Sequence, residues 1–159
     1  MSCMNRRQHT SGLRDHTGYW LNRLRITVHT AFEQALAKHD VTVAQWSALI
    51  ALHHGDATTP LGLAEFIDID PGAATRLVDR LVTKGLLTRD SDPDDRRSVR
   101  LSLTEKARVL TPLLAAAADA NDAAFFGVLA PEEHRRFRQL LAKLLTAHSV
   151  PVAGAWLDD

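Results

Sequence analysis

The chain contains little of what several common protein classes require. A single cysteine in 159 residues, Cys3, excludes an internal disulfide framework and fits a reducing cytoplasm. No apolar run approaches the roughly 18 residues that span a bilayer, and the first residues are polar, unlike a signal peptide. We therefore expect a cytoplasmic protein that has no membrane partner.

An excess of charge of one sign is also missing, because 19 Lys and Arg residues balance 19 Asp and Glu residues. Basic domains usually show the electrostatic pattern of nucleic-acid binding. The net charge of zero, however, is the sum over segments of opposite net charge. Residues 76–108 hold nine basic and six acidic residues, a net of +3, whereas residues 111–133 hold four acidic residues and no basic one. A neutral total therefore does not exclude DNA binding.

Motifs of common enzyme classes are absent as well. The sequence has no Gly-x-Ser-x-Gly, no phosphate-binding glycine loop and no His-Glu-x-x-His. We therefore expect no enzymatic activity and no cofactor. A composition of 45% hydrophobic and 24% charged residues excludes disorder and a collagen-like fibre.

What is present predicts a mostly α (α+β) fold. Ala and Leu occur 23 times each, and both favour helix over strand. Apolar residues at three- and four-residue steps indicate a long helix over about 13–38. Thr42 can cap a second helix that Gly55 ends, a short third helix follows Pro60, and Asp70 caps a fourth that ends at Lys84-Gly85.

The pattern changes after residue 85. Residues 86–89 and 98–103 read as two short strands joined by a polar loop, which predicts a hairpin. Thr104 can cap a further helix, and a last one begins near Pro131. Helix, short helix, helix and hairpin is the order of a winged helix-turn-helix, in which the helix after Pro71 enters the major groove of DNA.

The residue types of that helix fit this role. Ala74, Leu77, Val78 and Leu81 recur on one side, which leaves small, hydroxyl and basic side chains outside. Such residues approach bases closely and donate to base edges or phosphates, and cations at a hairpin tip suit a minor groove. The candidate DNA-binding residues are Gly72, Ala73, Thr75, Arg76, Arg80, Asp95, Arg96 and Arg97. We expect Asp79 to pair with a neighbouring arginine rather than to contact DNA.

Residues 69–106 resemble the MarR family of bacterial regulators. The resemblance is carried by the recognition-helix stretch and by a wing signature, Asp95-Arg96-Arg97 followed by an apolar strand that ends in Leu103-Thr104. It extends over roughly residues 18–148. Membership implies a homodimer whose first and last helices intertwine, with Arg97 as the wing-tip residue in the minor groove and Asp95 orienting a neighbouring arginine.

A dimer also follows from the apolar stripes. A winged domain needs only residues 40–104, so the helices before and after it carry apolar faces without a partner in that unit. A second copy is their simplest partner, and it places the recognition helices about 34 Å apart on a pseudo-palindrome. The predicted parts are a flexible tail (1–12), a dimerisation helix (13–39), the DNA-binding region (40–104), dimerisation helices (105–148) and a C-terminal extension (149–159).

The predicted function is a sequence-specific transcriptional regulator, a homodimeric repressor that binds double-stranded DNA and that a small-molecule effector releases. In the resembling family, aromatic acids and phenols bind where the dimer helices meet the winged domain. Trp20, Arg23, Trp46 and His53 lie in elements that border this region and are the candidate ligand-binding residues.

Two alternatives concern other signals and other partners. One is a metal- or redox-responsive regulator of the same fold, although no two of the eight histidines are three or four residues apart and Cys3 lies before the first helix. We therefore assign no metal site. The other is a winged-helix module for protein interaction, against which Arg76, Arg96 and Arg97 argue.

Overall fold

The computed structural model of the chain describes residues 10–91 and 99–152. Within them, the main elements are α1 (Thr17–Ala37), α2 (Val43–His54), α3 (Pro60–Phe66), α4 (Pro71–Thr83), β1 (Leu87–Ser91), β2 (Val99–Leu103), α5 (Glu105–Phe126) and α6 (Pro131–Ala147). This order confirms the predicted fold class. Cys3, Asp95, Arg96 and Arg97 lie outside the described residues, as do residues 153–159.

The helices of the winged region begin and end where local chemistry predicts. Thr42 Oγ1 accepts from the Gln45 amide at 3.2 Å, and Gln45 Oε1 accepts from the Thr42 amide at 3.2 Å, so α2 begins with a reciprocal cap. Gly55 ends the helix with φ of +78°, a left-handed conformation that costs glycine little. Asp70 Oδ1 accepts from the Ala73 amide at 2.9 Å and caps α4.

The hairpin completes the winged region. β1 and β2 are antiparallel, with Leu87 opposite Leu103 and Ser91 opposite Val99. The amide of Leu101 donates to the carbonyl of Thr58 at 2.8 Å, which ties β2 to the segment before α3. The hairpin is thereby joined to the helical part of the domain by a main-chain bond.

The described structure divides into two compact units, Met1–Ala117 and Ala118–Asp159. The first contains most of the core, whose largest fully buried side chains are Leu36, Leu49, Leu63, Val78, Leu81, Leu87, Thr111 and Leu114. The division falls inside α5, and the predicted domain boundaries stay predictions.

Two details differ from the sequence expectation. The first helix is broken: a 3₁₀ turn at Leu13–Asp15 is separated from α1 by His16, whose ψ of +123° is extended. Phe66, whose apolar side chain predicts a place on the inner face of α3, is 53% exposed. At about 100° per residue, Phe66 lies about 60° from buried Leu63 but about 160° from buried Ala64, at the edge of the buried face. Leu24 of α1 is 41% exposed, which agrees with an apolar stripe that has no partner in its own unit.

The second unit consists of the end of α5 and α6. Ala130 supplies no side-chain cap to α6, although Glu133 Oε2 accepts from the Ala130 amide at 2.8 Å. The rings of Phe126 and Phe137 stack with centroids 5.8 Å apart. Among the apolar residues of α6, Ala142 is buried.

Candidate nucleic-acid interface

Helix α4 has two chemically different faces. Ala74, Val78 and Leu81 are fully buried and Leu77 is nearly so, which confirms the inward face that the sequence predicts. This face packs against α3 and β1, both of which contact α4. The core therefore fixes which side of α4 remains available to a partner.

The outer face carries the candidate contacts. Thr75, Arg76 and Arg80 are exposed, and Ala73 is half-buried. Residues four apart are neighbours on a helix surface, so Arg76 and Arg80 present two guanidinium groups on one side. Thr75 Oγ1 donates to the Pro71 carbonyl at 2.9 Å and keeps its acceptor lone pairs for an outside donor.

Gly72 has a structural reason to be glycine, in addition to the predicted close approach of α4 to DNA bases. A Cβ at this position would lie 3.1 Å from Oδ1 of Asp70 and 3.5 Å from Nη1 of Arg76. The Asp70 carboxylate is the cap of α4, so a side chain here would crowd the group that starts the helix. The position therefore serves the helix as well as the predicted interface.

Asp79 pairs with an arginine, as expected. Its Oδ1 lies 2.6 Å from Nη1 of Arg89 in β1, and the two side chains are 54% and 35% exposed. This ion pair joins the exposed face of α4 to the base of the hairpin. Nothing local in the sequence identifies Arg89 as the partner, because the two residues meet only once the hairpin folds back along α4.

The remaining DNA-binding candidates, Asp95, Arg96 and Arg97, come between β1 and β2 in the sequence and lie outside the described residues. In the described strands, Ser91 is opposite Val99, and Asp90 is opposite Arg100.

The candidate ligand residues have separate surroundings. Trp20 Nε1 donates to the Arg14 carbonyl at 2.8 Å, and Arg23 Nη1 donates to the Tyr19 hydroxyl at 3.3 Å. Trp46 packs edge-on against Phe32, with ring centroids 4.9 Å apart. The structure thus gives these three residues different neighbours.

His53, the fourth candidate, lines a cavity. The cavity is about 420 Å³, and its lining includes Leu52, His53, Thr58, Leu101, Leu103 and Arg108. Arg108, in the second turn of α5, was not singled out from the sequence. It lies 55 positions after His53, and no local pattern joins the two.

The part of the chain that the structure describes lacks two other kinds of feature. No group of three or more His, Cys, Asp or Glu side chains there is placed to hold a metal ion. No single helix there is long and apolar enough to cross a membrane.

A capped helix pair, a recognition helix with a buried and a basic face, and a two-stranded wing together define a winged helix-turn-helix. The model of the MarR family matches residues 41–99. The chain is 31% identical over 114 residues to the HTH-type transcriptional repressor MdtR of Bacillus subtilis, covering 72% of this chain and 74% of that protein. The chain belongs to the MarR family.

A second curated relative matches a shorter segment. The multiple antibiotic resistance protein MarR of Escherichia coli is 39% identical over 69 residues, which are 43% of this chain. The match spans 48% of the length of that protein, about half, and the next curated relatives are similarly covered.

Solved structures extend the likeness to most of the chain. CouR of Rhodococcus jostii bound to p-coumaroyl-CoA superposes with a TM-score of 0.76 at 26% identity, covering 91% of this chain and 99% of that one. A mutant MarR of Escherichia coli complexed with operator DNA gives a TM-score of 0.73 at 26% identity, covering 80% and 92%.

Proposed function

We propose that this chain is a homodimeric transcriptional repressor that binds a pseudo-palindromic operator and that a small aromatic or phenolic ligand releases. In this proposal α4 enters the major groove through Gly72, Ala73, Thr75, Arg76 and Arg80. The wing loop, with Asp95, Arg96 and Arg97, enters the adjacent minor groove.

The observation that carries the proposal is the division of α4. Its inner face is fully buried, while Arg76 and Arg80 are exposed side by side on its outer face. Specific DNA recognition needs donors that reach base edges from a rigidly held element. The relative MarR in a complex with operator DNA supports the same use of this fold here.

Exposed apolar side chains support the dimer. Leu21 on α1 is 46% exposed, Leu113 on α5 is 54% exposed, and Leu140 and Leu144 on α6 are 47% and 53% exposed. These residues lie on the three helices outside the winged region, α1, α5 and α6. A second copy of the chain would cover them, and two-fold symmetry would then place two α4 helices on successive turns of one DNA face.

Two observations favour an aromatic, anionic effector. Trp46 Nε1 is buried and has no hydrogen-bond acceptor among the described residues, and a buried donor without an acceptor costs free energy. A ligand oxygen that accepted a hydrogen bond from this group would remove that cost. Arg108 is one of the residues that line the cavity beside His53, and an arginine there suits a carboxylate or phenolate. Trp20 and Arg23 complete the candidate set. The neighbour CouR was solved with an aromatic thioester, p-coumaroyl-CoA.

Release requires that the ligand bind one state better than the other. A ligand that favours dimers whose α4 spacing no longer fits the groove lowers DNA affinity by that difference in binding free energy. Equal affinity for both states would leave DNA binding unchanged.

The test begins with selection of binding duplexes from a random DNA library by the wild-type protein. Arg97→Ala and Arg76→Ala should each weaken binding to the selected duplex by roughly 1–3 kcal/mol per site in a gel-shift titration. Arg135→Ala on α6 is the matched control and should leave affinity unchanged. Failure to enrich any palindrome, or wild-type affinity in both variants, would refute the proposal.

The effector is tested with salicylate-like compounds at millimolar concentration. They should quench tryptophan fluorescence and release the selected duplex. If they do neither, the aromatic-anion site is wrong, while the DNA-binding proposal is judged separately by the titration.

A further inference from the structure

The side chain of Lys84, four residues after Arg80 at the C-terminal end of α4, bonds to another part of the domain. Lys84 is the C-cap of α4, and its side chain is 30% exposed. Its Nζ lies 3.0 Å from Oδ2 of Asp40 and 3.4 Å from Oε1 of Gln45, and it also donates to the main-chain carbonyl of Asp40. One ammonium group thus has three acceptors, which equals its number of donors.

Two of these acceptors lie where α1 is joined to α2, one in the turn and one in the first turn of α2. Asp40 adopts φ of +55°, so its carbonyl is presented by a left-handed residue three positions after the end of α1. Gln45 is 4% exposed, and its Oε1 already accepts from the Thr42 amide as part of the α2 cap. Lys84 is therefore bonded to a turn that has little freedom to follow it.

The third acceptor contributes less to the position of α4. The Asp40 carboxylate side chain is 92% exposed, and ion pairs with such groups are weak because water screens them. The Asp40 carbonyl and the Gln45 amide oxygen are the acceptors that hold the ammonium group in place.

The main chain of the same residue is bonded to α5. Lys106 Nζ, in the first turn of α5, donates to the Lys84 carbonyl at 3.0 Å. Next to it, Thr104 Oγ1 donates to the Gly85 carbonyl at 2.8 Å. Lys84 thus connects the end of α4 to the end of α1 through its side chain and to the start of α5 through its carbonyl.

We propose that Lys84 is a positioning residue that sets the placement of α4 on α1 and α5, and through them the spacing of the two operator half-sites that the protein accepts. The inference rests on the proposed function, in which α1 and α5 form the dimer. Because the two α4 helices are then held by one dimer frame, their separation depends on how firmly each α4 is bonded to its own α1 and α5.

The competing interpretation is that Lys84 contacts a DNA phosphate. The two roles can be told apart, because losing a phosphate contact and losing a positioning bond affect different measured quantities. Losing a phosphate contact reduces the slope of log affinity against log salt concentration by about one and weakens all duplexes alike. Losing a positioning bond leaves that slope unchanged and relaxes the preference for one half-site spacing.

The experiment compares wild type and Lys84→Met on the selected duplex and on versions with one base pair inserted or deleted between the half-sites. In Lys84→Met the ratio of affinities for the native and altered spacing should fall about three- to thirtyfold, the range of residues that couple sites. Lys84→Arg, which keeps the donors, should restore most of the preference. Arg76→Ala should weaken every duplex and keep the ratio.

If Lys84→Met fails to fold, Lys106→Met is an independent variant. It removes the exposed side chain that donates to the Lys84 carbonyl. It should also lower the spacing ratio. An unchanged ratio in a folded Lys84→Met or Lys106→Met, or a loss of salt slope with the ratio kept, overturns the inference. If wild type selects no palindrome, the proposed function fails first, so the two failures are distinguishable.

Discussion

Helices α4 and α6 have the same amphipathic pattern but bury it differently. In α4 the apolar residues Leu77, Val78 and Leu81 are 7%, 0% and 0% exposed. In α6 the corresponding apolar seam includes Leu140 and Leu144, which are 47% and 53% exposed. An amphipathic pattern states that a face needs a partner, but it does not state which chain supplies the partner.

The difference separates two roles. The apolar face of α4 is covered by α3 and β1 of its own unit, so its basic face is held at a definite place on the surface. The apolar face of α6 is open in part, at Leu140 and Leu144, and a second copy of the chain would cover that part. Three predictions test the contrast, in order of decreasing effect.

The largest effect is expected in the covered face. Leu81→Ala removes a fully buried side chain and should lower the free energy of unfolding by about 2–5 kcal/mol, because the lost packing leaves a cavity. Urea denaturation at one fixed protein concentration measures it. Thr83→Ala, at an exposed position of the same helix, is the control. A loss as small as that of the control would mean that α4 is not seated as described.

A smaller effect is expected in the open face, on association instead of folding. Leu144→Asp should raise the dimer dissociation constant by about thirtyfold or more, since truncating an interface anchor removes about 2 kcal/mol or more. Sedimentation velocity over a concentration series measures it. Gln139→Asp adds the same charge at another exposed position of α6. Equal dissociation constants for both variants would contradict a dimer contact at Leu144.

The smallest effects concern the helix starts. Asp70→Ala removes the cap of α4 and should cost about 1 kcal/mol, whereas Ala130→Ser supplies the missing cap of α6 and should gain up to about 1 kcal/mol. Thermal unfolding monitored by circular dichroism measures both. Asp70→Ser keeps a capping oxygen and should retain most of the stability. A loss of stability in Asp70→Ala together with a gain in Ala130→Ser would confirm that α4 has a side-chain cap and α6 lacks one. A loss of stability in Ala130→Ser would contradict it.

Much of the winged region could be predicted from local patterns. The caps at Thr42 and Asp70, the end at Gly55, and the inward face of α4 all depend on residues within about one helical turn of one another. Such interactions form between residues that are close in the sequence, so short segments are enough to predict them. They hold in the structure because the tertiary packing agrees with them.

Other expectations failed or could not be reached for the same physical reason. The break at His16 interrupts a stripe that reads as one helix, since the periodicity of neighbouring residues does not show where a chain bends. The cavity that joins His53 to Arg108 depends on the path of the chain between α2 and α5. No periodic signal records that path.

The amino-acid sequence determined the helix limits of the winged region, the buried side of α4, the order of a winged helix-turn-helix and the presence of unpartnered apolar stripes. These follow from 3.6-residue periodicity and from side chains that bond to main-chain groups a few residues away. Only the tertiary structure decided that Arg89 is the partner of Asp79, and that Lys84 meets Asp40 and Gln45 across 44 and 39 residues. Bonds over such distances form when packed elements bring distant residues together, and no local pattern specifies them.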